Sequence, residues 1–167
     1  MLRHHARILG IAAIATAGWQ TSDAQASAHE SLPVSAPISS VRYDVTVDST
    51  TAATRDLVVT MRFHVDGPKP VVLALPAWSP GHYTLLWFAS RVLDFRPTAD
   101  GMPLAWRKLD FQTWEIAPKA ASTVSVAFRY HADAHDRAVA YTTRDLAFFN
   151  GTNVFLYPVG QGFSWPA

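Results

Sequence analysis

The chain has 167 residues, room for one domain with a full core. Its 14 Lys and Arg against 13 Asp and Glu give a formal charge of +1, which leaves no basic excess of the kind nucleic-acid binding requires. Hydrophobic residues at 49% against 16% charged exclude disorder for want of burial material, and the absence of Cys removes disulfides, thiolate zinc sites and iron–sulfur clusters together.

Residues 1–26 carry the pattern of a signal peptide. Arg3 and Arg7 precede the charge-free run Ile8 to Gly18, which is too short to span a bilayer, and Ala24-Gln25-Ala26 offers the small residues that a signal peptidase accepts. Cleavage is expected after Ala26. It removes Arg3, Arg7 and Asp23, so that 14 basic residues become 12, 13 acidic residues become 12, and the net charge falls to zero. No Cys is available for a lipoprotein anchor, and no membrane span is expected after cleavage. The expected location is periplasmic or secreted. Residues 27–40, with Pro33 and Pro37 and no periodicity, read as an extended leader, and the domain is expected over 41–167.

From Val41 the pattern turns to strands. Val41, Tyr43, Val45 and Val47 alternate with polar partners, as do Leu57, Val59, Met61, Phe63 and Val65, the period of two that a half-buried strand requires. Asp66-Gly67-Pro68 closes the second strand, and Val71 to Leu75 forms a run able to be buried on both faces. Further strands are expected at 82–88, 104–108, 111–116, 122–131 and 153–158, with Asp100-Gly101, Ala117-Pro118 and Asn150-Gly151 as turns; only 83–94 has any claim to be a helix. The fold class is therefore all-β, an antiparallel β-sandwich or curved sheet. Trp106 and Trp114 flank Leu109-Asp110 as a candidate hairpin, its indoles either core packing or an exposed platform for sugar or peptide.

Chemistry-bearing motifs are sparse. His29-Glu30 starts a zinc-peptidase string that Ser31-Leu32-Pro33 ends, and no nucleophile elbow, phosphate loop or dinucleotide fingerprint is present. One constellation remains: His131, Asp133 and His135 share one face of a strand and are candidate metal ligands, although two-residue spacing splays them and no fourth ligand is evident. His64 and His82 read as surface or packing residues. Asn150-Gly151-Thr152 matches a glycosylation acceptor, and equally a turn whose glycine takes positive φ.

Residues 75–95 contain Leu75-Pro76-Ala77-Trp78-Ser79-Pro80-Gly81-His82-Tyr83, then Phe88-Ala89 and Val92 through Phe95. Pro80-Gly81 suits the two central positions of a type II turn, with Trp78 and Tyr83 placed to pack across it. This string resembles the Trp-x-Pro-Gly-x-Tyr signature of the amino-terminal domain of the glycyl aminopeptidase family, metallopeptidase family 61, a group of gluzincins related to aminopeptidase N. Asp100-Gly101 with Leu104, Trp114, the strand ending at Tyr130, and Phe148-Phe149-Asn150-Gly151-Thr152 with Phe155-Leu156 extend the resemblance from about Val41 to Tyr157. Leu86-Trp87 departs from it, since many relatives place charged residues there.

The resemblance implies a β-rich module that precedes a thermolysin-like catalytic domain and, in many members, a PDZ domain. Zinc ligands and the Glu base belong to that catalytic domain, so no catalytic, cofactor-binding or metal residue is carried over to this chain. Relatives continue into further strands after Phe163-Ser164-Trp165-Pro166-Ala167, so the expectation is a module truncated at its C-terminal end. The function expected is that of a secreted, non-catalytic amino-terminal domain of a glycyl aminopeptidase-like zinc metallopeptidase, with the peptidase catalytic domain as partner in full-length relatives. The alternative is a free-standing periplasmic binding module for peptide or glycan.

Overall fold

The computed structural model describes residues 33–136 and 139–161. Residues 1–26, the expected signal peptide, and the closing Phe163 to Ala167 lie outside the described residues. Two antiparallel sheets form a sandwich. The larger has the order β1 (Ile38–Thr46), β2 (Asp56–Val65), β8 (Ser122–His131), β4 (Val92–Ala99), β5 (Met102–Pro103). The smaller has the order β11 (Tyr157–Pro158), β3 (Val71–Ala74), β7 (Thr113–Ala117), β6 (Ala105–Lys108), and a two-stranded ribbon pairs β9 (Tyr141–Thr142) with β10 (Ala147–Phe148).

Alternation decides the core. Leu57, Val59, Met61 and Phe63 of β2 and Val124, Val126, Phe128 and Tyr130 of β8 are buried, and they meet Val71 and Leu73 of β3 and Trp114 and Ile116 of β7 in one continuous cluster. The ladder between β2 and β8 runs without a break from Asp56↔His131 to Val65↔Ser122, because a slip of one residue would turn every apolar side chain of either strand to solvent. All of Val71 to Leu75 is buried, as its unbroken apolar run requires. The edge strand β1 is held by Tyr43, whose ring stacks on Phe155 at 4.4 Å and whose hydroxyl donates to the Leu156 carbonyl. Burial pushes that hydroxyl up to about 12. Tyr43→Phe is expected to cost about 1 kcal/mol in chemical denaturation, the value of one lost hydrogen bond with the stacking retained.

Between β1 and β2 lies a short helix the sequence did not announce, α1 (Ser49–Thr54). Asp48 caps it, accepting from the N–H groups of Thr50 and Thr51 at 2.9 Å each, while its own N–H donates to Thr51 Oγ1 at 2.8 Å. Arg55 ends it in the left-handed conformation, φ 56°.

Four expectations are corrected. The chain enters the domain before Val41: β1 starts at Ile38, and Ser35 and Ala36 are already buried, their N–H groups donating to Val159 and Pro70 carbonyls at 2.9 Å. Residues 82–88 are no strand, and 83–94 is no α-helix. A loop occupies them up to a 3₁₀ turn at Phe88–Arg91, and β4 follows. A bulge at Asp94, φ 53°, and Pro97 hide β4 from a period-two reading. Finally, 153–158 is mostly not strand, because Asn150-Gly151 opens α2 (Gly151–Val154) instead of making a positive-φ turn. The glycine is needed there for space: a Cβ would meet the Phe155 ring at 3.0 Å.

Candidate functional site

The loop between β3 and the 3₁₀ turn, residues 76–87, is an arch with a fixed neck. The Ala77 carbonyl accepts from both Leu86 and Trp87 N–H groups, at 2.7 and 3.1 Å, which draws the two legs together. At the apex, His82 N–H donates to the Ser79 carbonyl at 3.1 Å around Pro80-Gly81, with Gly81 at φ 88°, the type II turn its sequence predicts. The Trp78 indole N–H closes on the His82 carbonyl, so the indole braces the turn and does not pack on Tyr83. Tyr83 is fully exposed. Trp87 sits at φ 50°, from which Phe88 enters the core as a completely buried anchor. Gly81→Ala is expected to cost about 1 kcal/mol in thermal melts, for nothing lies near the added methyl and only the left-handed backbone resists it.

The arch presents a run of exposed apolar side chains: Trp78, Tyr83, Leu85 and Trp87, with Phe111 of the β6–β7 hairpin tip meeting Trp87 edge to face at 5.5 Å. His82 Nε2 approaches Asp136 Oδ2 at 3.9 Å, which sets the arch beside a cleft of about 220 Å³ lined by His135, Asp136, Tyr141, Leu146 and Phe148. Chemically this surface offers apolar contact area. The hydrogen bonds of the arch close on its own backbone.

The three candidate metal ligands do not converge on one point, although His131 Nε2 and Asp133 Oδ2 lie 3.5 Å apart. His131 Nδ1 lies 3.0 Å from Asp56 Oδ1, Asp133 is held by Arg91, and His135 packs its ring on Tyr141 at 3.8 Å. Among the described residues no group of three His, Asp or Glu is placed to hold a metal ion. The first two belong to an ion-pair belt. Asp56, its side chain only 3% exposed, accepts from Thr54 Oγ1 and Arg129 Nη1, each at 2.7 Å, and Arg129 Nε reaches the bulged Asp94 at 2.7 Å. Burial pushes the Asp56 carboxyl up, but the bonds from His131, Thr54 and Arg129 together hold it below the ordinary carboxylate range. For Asp133 the bond from Arg91 does the same against a weaker burial effect. His64 lies at the surface, 3.1 Å from Asp66.

The two tryptophans of the β6–β7 hairpin divide the roles left open for them. Trp114 is 1% exposed, with Phe95 stacked on it at 5.2 Å and the Lys108 ammonium 4.7 Å above it; Trp106 is 44% exposed on the edge strand. Sequence reading singled out Trp78 and Tyr83 at the turn, named Trp87 and Phe148 only in the family comparison, and passed over Leu85, Phe111 and Leu146. One signal was available: between Lys69 and Arg91 stands no Asp, Glu, Lys or Arg.

Fold and surface define a β-sandwich module that carries an exposed apolar arch. The family model of the Peptidase M61 N-terminal domain matches residues 42–163, and the chain belongs to this family. A solved structure of an aminopeptidase N family protein from Idiomarina loihiensis has the same fold, with a TM-score of 0.65 and 24% identity over 75% of this chain. The chain spans 20% of the length of that structure's chain. No curated protein matches it significantly.

Proposed function

We propose that this chain is the non-catalytic amino-terminal module of a secreted glycyl aminopeptidase-like zinc metallopeptidase, and that it works by packing against the peptidase catalytic domain. The carrying observation is the family match over residues 42–163, which takes in both sheets and the arch. The structural likeness, confined to a fifth of a much longer chain, is in keeping with a module that works beside other domains. Among the described residues no set fits zinc, because His131 and Asp133 are engaged by Asp56 and Arg91 and His135 packs on Tyr141, so no step is assigned to zinc here. Export rests on the pattern of residues 1–26.

The test recovers the epitope-tagged protein from the cells that make it and assays it on glycyl peptides. Glycine release that a zinc chelator abolishes is expected of the protein recovered with its catalytic domain, and none of the isolated 167-residue chain. Recovered protein with no such activity rejects the peptidase reading. Amino-terminal sequencing of the same material should begin at Ser27, and Met1 retained on protein from outside the cytoplasm rejects export. The rival reading, a free-standing module for peptide or glycan, draws on the exposed Trp78 and Tyr83.

A further inference from the structure

We infer that the arch of residues 76–87, extended by Phe111 and by the cleft residues Leu146 and Phe148, is the face that docks the peptidase catalytic domain, through an apolar and nearly uncharged surface on that domain. This rests on the family reading above and adds to it which face is used and what chemistry it meets.

Composition is the first argument. The 12 residues of the loop, Pro76 to Trp87, contain no Asp, Glu, Lys or Arg, although a solvent-facing role would leave them free to carry such residues. Arrangement is the second. Trp78, Tyr83, Leu85, Trp87 and Phe111 are all exposed, Trp87 touches Phe111, and the 3.9 Å approach of His82 to Asp136 brings Leu146 and Phe148 alongside. Other large exposed apolar residues, such as Val41, Leu93 and Met102, sit on separate strands. A patch of this kind, aromatic and uncharged along the arch with Lys108 over Phe111 and Asp136 at the cleft as its charged rim, has the make-up of a protein–protein interface.

Preorganisation is the third argument. The double bond to the Ala77 carbonyl, the type II turn and the Phe88 anchor set the shape of the arch before any partner arrives, so little ordering entropy opposes docking. A folded domain presenting its own apolar patch suits the site, and the family supplies one: four-fifths of the solved aminopeptidase N family chain lies beyond the part this module matches.

Hydroxyl-radical footprinting tests this on two samples, the isolated 167-residue chain and the tagged protein recovered from the cells that make it. In recovered material that releases glycine, oxidation of Trp78, Tyr83, Leu85 and Trp87 should be slowed several-fold relative to the isolated chain, with Met102 and Val41 oxidised equally in both. Arch residues oxidised at the same rate in active material overturn the docking face and leave the family reading standing. Recovered material without peptidase activity removes the reading and the docking face together. If the arch is protected in the isolated chain and that chain sediments as a dimer, the occupant is a second copy and the inference is wrong.

Discussion

Trp114→Ala is expected to destabilise the domain by about 3–5 kcal/mol, the range for removing a large aromatic side chain from a packed core. The indole is 1% exposed and is sandwiched between the sheets: Phe95 of β4 lies nearly parallel to it, 5.2 Å away and inclined by 10°, and Lys108 covers its ring. Truncation therefore opens a cavity that the rigid ladders around it cannot close. It also strips Phe95 of its stacking partner. Since a domain of this size has a total stability of about 5–15 kcal/mol, the variant should unfold at a much lower denaturant concentration. Trp106→Ala is the matched control. Trp106 also contacts Phe95, at 5.0 Å, yet it is half exposed on the edge strand, and about 1 kcal/mol is expected. Equal shifts in the denaturation midpoint for the two variants would show that the hairpin contributes a surface platform and not a core.

The second large effect is at Asp56. Replacing it by Asn should cost about 2–3 kcal/mol at neutral pH, because a buried carboxylate with three donors is exchanged for an amide that satisfies fewer of them and bears no charge. Arg129 and His131 are partly exposed and recover water, which keeps the loss below that of a fully buried pair. The sign with pH follows from the direction of the shift. The folded carboxyl titrates below its ordinary 3.8, so its contribution is fully present above that value and is lost as pH falls through the lower, folded one. Asp133, lowered by Arg91, adds to the same acid limb. Thermal melts between pH 7 and 3 should show the wild-type midpoint falling steeply at the acid end, with a shallower fall in Asp56→Asn. Parallel curves would mean that the belt makes no difference to stability.

Most of the sandwich could be read from residue order. Where a strand is wet on one face, as β2 and β8 are, side chains must alternate, and the alternation of Leu57 to Val65 and of the Val-rich strand ending in Tyr130 put those strands where they stand. Local chemistry was equally plain at Pro80-Gly81, whose type II turn needs only those two residues. Periodicity failed where hydrogen bonds leave the ladder. At 82–88 the Ala77 carbonyl takes two N–H groups that a strand would have paired, and at Asp94 a bulge breaks the alternation in order to aim the carboxylate at Arg129.

The site divides along the same line. Its key residue types, Trp78 and Tyr83 around a rigid turn, stand within six residues of one another and were legible as a motif. That they form a single apolar surface with Phe111, Leu146 and Phe148 was not, because those residues are 28 to 65 positions further along the chain and meet only when the sheets have closed. The same holds for His131, Asp133 and His135. Spacing alone makes them resemble a ligand set, and the fold brings Asp56 from β2 and Arg91 from the 3₁₀ turn to claim the first two and leaves His135 against Tyr141. Sequence by itself determined the fold class, the family and the rigid turn, since each depends on neighbouring residues or a period of two. Only the tertiary structure decided which indole is core, which histidine faces the buried Asp56 and which apolar residues form one face, because those outcomes depend on contacts between segments far apart in the chain.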